Sequence, residues 1–350
     1  MDVAARLPEL KAEALLVTSS ANVRYLSGFD GSNGVILLLP GETHFFTDPR
    51  YEIFARQNIS GDVHVAKGPL TNAVLKIIKK KKLKNIGFES GWTRYQEYAT
   101  LKEKLPLGAE LVPIGGIIEE RRMRKSAEEI ALIRHSVKVN SEAYSRAVKR
   151  IRAGVREIDI AAEIEYQMKM LGAEKPAFDT IIAAGTRSAL PHAHPTDYRL
   201  QANELLLIDM GAYVKGYASD MTRVVHLGKP NKRARGLYNA VLEAQLAGID
   251  AVRPGVTAAH VDRAARDVLK KHNLEKMFIH STGHGLGLEI HEPPRLGKKD
   301  KTRLVAGMAI TIEPGAYIEG FAGVRIEDTV LVTERGCEIL TPTPKEFLYL

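Results

Sequence analysis

An internal repeat in the second part of this 350-residue chain restricts its possible folds more than any other feature. Arg152-Ala153-Gly154-Val155 joins two helical patterns, and Arg253-Pro254-Gly255-Val256 does the same 101 residues later. Phe178 to Gly185 corresponds to Phe278 to Gly285, and His192 with Pro195 matches His291 with Pro294. Ile208-Asp209-Met210-Gly211-Ala212-Tyr213 returns as Ile312-Glu313-Pro314-Gly315-Ala316-Tyr317, and Asp220-Met221-Thr222 as Glu327-Asp328-Thr329. Matches in one order predict two similar helix-plus-sheet halves related by a pseudo-twofold axis. Equivalent side chains then converge where the halves meet.

The first part of the chain is organised differently. Strand-like segments at 14–18, 35–39, 44–47, 63–66, 85–89 and 110–114 alternate with helical patterns at 51–57, 71–82 and 94–104, which reads as an α/β domain. Gly115 and Gly116 break that pattern, and Ser126 with Glu129 three residues on forms a capping box for a long amphipathic helix. The expected organisation is a smaller α/β domain with a mixed sheet over 1–118, followed by an α+β domain holding the repeat over 119–350. Two domains also suit the length.

Composition removes several classes of function. Hydrophobic residues at 45% and charged residues at 26% are the usage of a folded globular chain, not a disordered one. A single cysteine, Cys337, excludes an intrachain disulfide and reads as a small residue in a strand. No apolar run approaches the 18 or so residues of a membrane helix. The early acidic residues Asp2, Glu9 and Glu13 leave no signal peptide pattern, so a cytoplasmic protein without a membrane partner is expected. The net charge of +8 is spread over both parts. Its one dense run, Lys79 to Lys82, has no interleaved aromatic residues and reads as a solvated helix face, so no nucleic-acid partner is expected. Phosphate-loop, dinucleotide and Gly-x-Ser-x-Gly patterns are missing as well.

The chemistry lies in the duplicated carboxylates. Asp209 and Asp220 flank a predicted two-residue hairpin turn at Lys215-Gly216, whose register pairs Asp209 with Thr222. The two carboxylates are then diagonal neighbours on one face, about 7–8 Å apart at the backbone. Glu313 and Glu327 form the second pair, across a longer Gly-rich loop that leaves the register open; Arg325 shares a face with Glu327. Four carboxylates on a buried sheet face repel one another and lose hydration unless they are protonated, exposed or neutralised by cations. Two divalent ions balance the charge. His284, between Gly283 and Gly285, stands where the first half has Ala184 and breaks the symmetry of the ligand set. Oxygen-rich ligands with one imidazole suit Mn²⁺, Co²⁺, Fe²⁺ or Zn²⁺ without choosing among them.

These residues resemble the metallopeptidases of the pita-bread fold, in the branch of Xaa-Pro aminopeptidases (aminopeptidase P) and Xaa-Pro dipeptidases (prolidases). The resemblance rests on Leu190-Pro191-His192, Ile208-Asp209 with Gly211-Ala212, and Ser219-Asp220-Met221-Thr222-Arg223. It continues through Gly283-His284-Gly285 with Gly287, Glu289-Ile290-His291-Glu292, Ile312-Glu313-Pro314-Gly315 and Gly323-Val324-Arg325-Ile326-Glu327. Tyr25-Leu26-Ser27-Gly28-Phe29 and Phe46-Thr47-Asp48 are similar to the branch's smaller N-terminal domain. It implies a pita-bread catalytic domain in which Asp209 binds one metal, His284 and Glu313 the other, and Asp220 and Glu327 bridge both. His192 and His291 flank the substrate and stabilise the tetrahedral intermediate, Glu313 shuttles the proton, Arg325 lies near the proline pocket, and His280 is in an outer shell. Mn²⁺ is the cation it favours, proline-containing peptides the partners, and a homodimer the assembly. Some members carry a tyrosine near the substrate N-terminus where this chain has Phe178, so that hydroxyl is missing here.

Two features pull the expected substrate length in opposite directions. Arg295 stands where dipeptidases of the branch hold the free carboxylate of Xaa-Pro. Phe29, Gly31-Ser32-Asn33-Gly34 and Asp48-Pro49-Arg50 look more like the aminopeptidase side, and the domain resemblance carries more weight. The sequence reading is therefore an Xaa-Pro aminopeptidase, with the dipeptidase as its alternative. The complete ligand set disfavours a non-catalytic binding or chaperone relative and a metal-free amidinohydrolase such as creatinase.

Overall fold

The computed structural model of the protein describes residues 3–350; Met1 and Asp2, the latter cited above among the early acidic residues, lie outside the described residues. The chain divides into two compact units, one ending at Arg122 and the other spanning Met123–Leu350.

The first unit runs β1 (Ala14–Val17), α1 (Ser20–Ser27), β2 (Gly34–Leu39), β3 (Glu42–Thr47), α2 (Glu52–Asn58), β4 (Asp62–Val65), α3 (Leu70–Lys81), β5 (Asn85–Glu89), α4 (Tyr95–Lys104), β6 (Glu110–Ile114) and α5 (Ile117–Met123). Its mixed sheet has the order β4-β3-β2-β1-β5-β6, antiparallel within β1-β2-β3 and parallel elsewhere. Alternation along the strands sorts the core onto two faces: Leu15, Val17, Ile36, Leu38 and Phe45 on one, Ala14, Leu16, Leu37, Leu39 and Phe46 on the other. Residue 118 falls inside α5. Helices α1 and α5 carry no long apolar stripe, and α1 buries only Asn22 and Val23, which is why periodicity did not announce them.

In the second unit the first half comprises α6 (Ala127–Ala147), α7 (Glu157–Met170), β7 (Lys175–Pro176), β8 (Ile181–Ala184), β9 (Leu205–Met210), β10 (Ala212–Val214), β11 (Tyr217–Ala218) and β12 (Met221–His226). The second half comprises α8 (Lys232–Asp250), α9 (Ala258–Lys271), β13 (Gly283–Gly285), β14 (Glu292–Leu296), β15 (Ala309–Ile312), β16 (Gly315–Ile318), β17 (Ala322–Arg325), β18 (Asp328–Val332), β19 (Cys337–Ile339) and β20 (Leu348–Tyr349). The predicted capping box starts α6, with Ser126 Oγ accepting from Glu129 N and Glu129 Oε2 from Ser126 N. Cys337 opens β19, in the strand position expected for it.

The halves repeat in detail. Strands β8-β9-β12 and β13-β15-β18 have the same antiparallel order. Gly154 and Gly255 share a φ of +87°, a conformation that glycine adopts without strain. The N–H of Gly154 donates to Leu200 O and that of Gly255 to Leu304 O, both at 2.8 Å. The Gly154 and Gly255 carbonyls then accept from Arg199 Nη1 at 2.9 Å and Arg303 Nη1 at 2.7 Å. β9 is buried on both faces: Leu206, Ile208 and Met210 pack toward α6 and α7, while Leu205 and Leu207 pack with residues of α8 and α9. Among the described residues no helix is long and apolar enough to cross a membrane.

Candidate metal centre

The hairpin of the first half forms as its sequence predicts. Val214 pairs with Tyr217 across Lys215 (φ +49°) and Gly216 (φ +78°), and Asp209 pairs with Thr222. The second half departs from that regularity where its carboxylates stand. The ladder stops at Ile312–Asp328 and resumes at Gly315–Arg325, because Pro314 has no N–H to donate. Freed from the ladder, Glu313 N donates to Thr282 O at 2.7 Å and Glu327 N to Thr222 O at 3.2 Å. The second bond reaches into the first half. The halves are also cross-linked by their equivalent threonines: Thr222 Oγ1 donates to Glu327 Oε2 at 2.7 Å, and Thr329 Oγ1 to Asp220 O at 3.0 Å.

All eleven residues singled out above line one cleft of about 850 Å³. Asp209, Asp220 and Glu327 are buried, His284 and Glu313 partly so. One ligand atom each of Asp220, His284 and Glu327 lies within 4.8 Å of the others. The His284 Nδ1 side faces Gly285 O at 3.0 Å, so Nδ1 carries the proton and Nε2 presents its lone pair. That lone pair looks at Glu313 Oε1, 3.3 Å away, and Asp220 Oδ2, 3.5 Å away. Burial holds the imidazole below its ordinary range and therefore neutral. Asp209 Oδ1 is buried without a hydrogen-bond partner.

The same burial pushes the acids up. Desolvation and then the neighbouring charge of Glu327 raise Asp220 well above the carboxylate range; desolvation, then Glu313 and Asp209, do so for Glu327. Glu313 is raised to about 7 by burial, against the pull of Arg325. Facing acceptors, an orphaned carboxylate oxygen and acids that resist ionisation are what a cation would relieve. Asp209, Asp220, Glu313, Glu327 and His284 thus fit a divalent pair.

Arg325, expected near the proline pocket, lines the cleft and is tied into the ligand set. Its buried guanidinium donates to Asp209 Oδ2 at 2.5 Å, Tyr317 Oη at 2.5 Å, Thr222 Oγ1 at 3.1 Å and Pro191 O at 3.3 Å. Its donors are committed to holding the site. Tyr317 Oη in turn lies 2.9 Å from His280 Nε2, and His280 Nδ1 lies 2.8 Å from Ser281 O. Burial pushes His280 down to about 3, so a neutral ring completes a one-way chain from Arg325 through Tyr317 and His280 to Ser281. His291 meets His284 edge to face at 4.4 Å, and it, His192 and Arg295 are exposed in the cleft. The Phe178 ring packs so closely on Gly211 that a Cβ there would sit 2.7 Å from it.

Three contributors carried no role in the sequence reading. Thr222 and Tyr317 stood inside repeated motifs, which was their only signal. Glu292 stood in a quoted motif, but its pairing with Lys125, 3.1 Å away with both side chains buried, had no signal, since the two are 167 residues apart. His194 also lines the cleft.

Comparison with known proteins bears on this geometry. Residues 131–334 match the family described as metallopeptidase family M24, and residues 2–124 the creatinase/prolidase N-terminal domain. An Xaa-Pro dipeptidase of Pyrococcus furiosus is 40% identical over 98% of this chain and 97% of its own. A solved Xaa-Pro dipeptidase from Bacillus anthracis superposes with a TM-score of 0.97 at 37% identity, covering 99% of this chain and 98% of that one. An X-Pro aminopeptidase from Thermotoga maritima superposes at 0.92 with 34% identity, covering both chains fully (100%).

Proposed function

This chain belongs to metallopeptidase family M24, and on that premise we propose that it is an Xaa-Pro dipeptidase, releasing an N-terminal residue from a C-terminal proline. The preference differs from the aminopeptidase reading of the sequence, and the relatives named dipeptidases support the change. The N-terminal residues that favoured aminopeptidases have local structural work. Asn33 and Arg50 both donate to Asp48, and a Cβ on Gly31 or Gly34 would strike the Phe29 ring.

The observation that carries the reading is the register of β13 with β14, in which Arg295 pairs directly with His284. Paired residues point to one face, about 5 Å apart at the backbone. In Xaa-Pro the free carboxylate follows the scissile bond by one residue, about 4 Å along the chain. The Arg295 guanidinium donates from Nε to Ser281 Oγ at 3.2 Å and lines the same cleft as His284, within reach of a carboxylate at that distance.

The proposed ligands are Asp209 for one cation, His284 and Glu313 for the other, and Asp220 and Glu327 for both; the donor set suits Mn²⁺, Co²⁺, Zn²⁺ or Fe²⁺ alike, and Mn²⁺ is the ion the family resemblance favours. When bound, such a pair activates water and polarises the scissile carbonyl. Glu313 takes the water's proton on a carboxylate oxygen and returns it to the departing proline nitrogen. His192 and His291 donate to the oxygen on which negative charge develops. Arg325 and Tyr317 keep Asp209 oriented, and Arg295 selects the substrate's terminus. Proline needs such a dedicated enzyme because its amide is tertiary and its ring fixes φ. We further propose a homodimer, which sedimentation analysis would test.

The deciding experiment compares Xaa-Pro with Xaa-Pro-Yaa on Mn²⁺-loaded protein. Higher kcat/KM for the dipeptide is expected. Equal or better cleavage of the tripeptide restores the aminopeptidase reading.

A further inference from the structure

The first unit contains a second convergence of ligand atoms. Parallel strands β3 and β4 pair His44 with Asp62 and Phe46 with His64, and alternation puts all four on the face covered by α3. His44 Nδ1 lies 3.1 Å from His64 Nε2 and 3.3 Å from Asp62 Oδ2. One ligand atom from each residue lies within 4.8 Å of the others. A cation held by nitrogen and oxygen at about 2.0–2.2 Å spaces its ligands about 3.0–3.5 Å apart. These separations match.

Hydrogen bonding leaves the cluster incompletely satisfied. His44 is 4% exposed, and its Nε2 is buried without a hydrogen bond, although Glu42 Oε2 lies 3.3 Å away. With the ring proton drawn toward that carboxylate, Nδ1 turns a lone pair on Asp62 and His64. With the His64 proton on Nδ1, the three facing atoms are all lone-pair donors, the arrangement a cation requires. Lys81 pairs with Glu42, and Lys67, Lys76 and Lys80 also lie near His64, while the Asp62 carboxylate faces the His44 imidazole. The His64 ring is already fixed by stacking on Phe46 at 4.7 Å.

We propose that His44 Nδ1, His64 Nε2 and Asp62 Oδ2 form a divalent-cation site in the first unit, separate from the carboxylate cleft. Two imidazoles and one carboxylate suit a borderline first-row ion such as Zn²⁺, with water in the remaining position. Its effect is structural. β4 is an edge strand of the sheet, and the ion clips it to β3.

The test is zinc content by elemental analysis of the full-length protein after dialysis against Zn²⁺. His64→Ala is expected to lose one equivalent per chain relative to wild type while keeping peptidase activity. Asp62→Asn, at a side chain 72% exposed, repeats the measurement where misfolding is not a concern. In an Asp220→Ala/Glu327→Ala background one equivalent should persist and disappear on adding His64→Ala. Zn²⁺ should raise the Tm of wild type more than that of His64→Ala. Unchanged zinc content in both His64→Ala and Asp62→Asn overturns the proposal, whatever the cleft does.

Discussion

The two halves of the second unit share a frame and differ in what they hang on it. Both use a glycine at φ +87° between their helices, the same strand order, and a carboxylate at corresponding positions. The first half keeps a regular hairpin, whereas the second interrupts its ladder at Pro314 and carries the longer glutamates there. Where the second half has His280, His284 and Arg325, the first has Thr180, Ala184 and Ala218. Symmetry therefore supplies the negative charge, and departures from it supply the imidazole, the guanidinium clamp and the freed backbone that ties the halves together.

The most severe break should come from the corresponding carboxylates. Asp220→Ala and Glu327→Ala are each expected to abolish activity and the metal content of the cleft alike, as a chelator should, with Mn²⁺ or Co²⁺ restoring only the chelated wild type. Full metal occupancy in either variant would end the idea of equivalent bridging roles.

His284→Ala gives the second half the residue of the first. Loss of one of the cleft's two metal equivalents and a fall in kcat/KM of more than about 100-fold are expected, beyond the upper range for changes around a ligand. Retention of both ions would remove His284 from the ligand set. His192→Ala and His291→Ala probe a repeat-related pair: each should lower kcat about 100-fold with metals retained. Metal loss in one alone would mean the pair has diverged in role.

Arg295→Ala tests a residue whose counterpart is Thr196. Because the guanidinium is exposed, about a tenfold loss in kcat/KM for Xaa-Pro is expected, with Xaa-Pro-Yaa unaffected. A uniform loss on both substrates would deny it a role in selecting the terminus. The smallest contrast concerns the paired tyrosines. Tyr317→Phe removes the oxygen that joins Arg325 to His280 and should cost about fivefold in kcat, while Tyr213→Phe should leave activity near wild type. Equal effects would show that the repeat is functionally symmetric there.

What the chain's order of residues determined by itself is the local and the periodic: the repeat, the six strands of the first unit, the α6 capping box, and the Asp209–Thr222 register. Each depends on residues close in sequence, on a turn that admits positive φ, or on alternation within one strand. The four candidate carboxylates were legible because the repeat marked each position twice, and His284 because it departs from the repeat between two glycines. Packing decided the rest. It set the break around Pro314 and the Arg325–Asp209 contact across 116 residues, and drew Lys125 to Glu292 and His44 to Asp62 and His64. Hydrophobic pattern is read one element at a time, but a hydrogen bond between distant residues exists only once burial has excluded water and chosen which polar groups must satisfy one another.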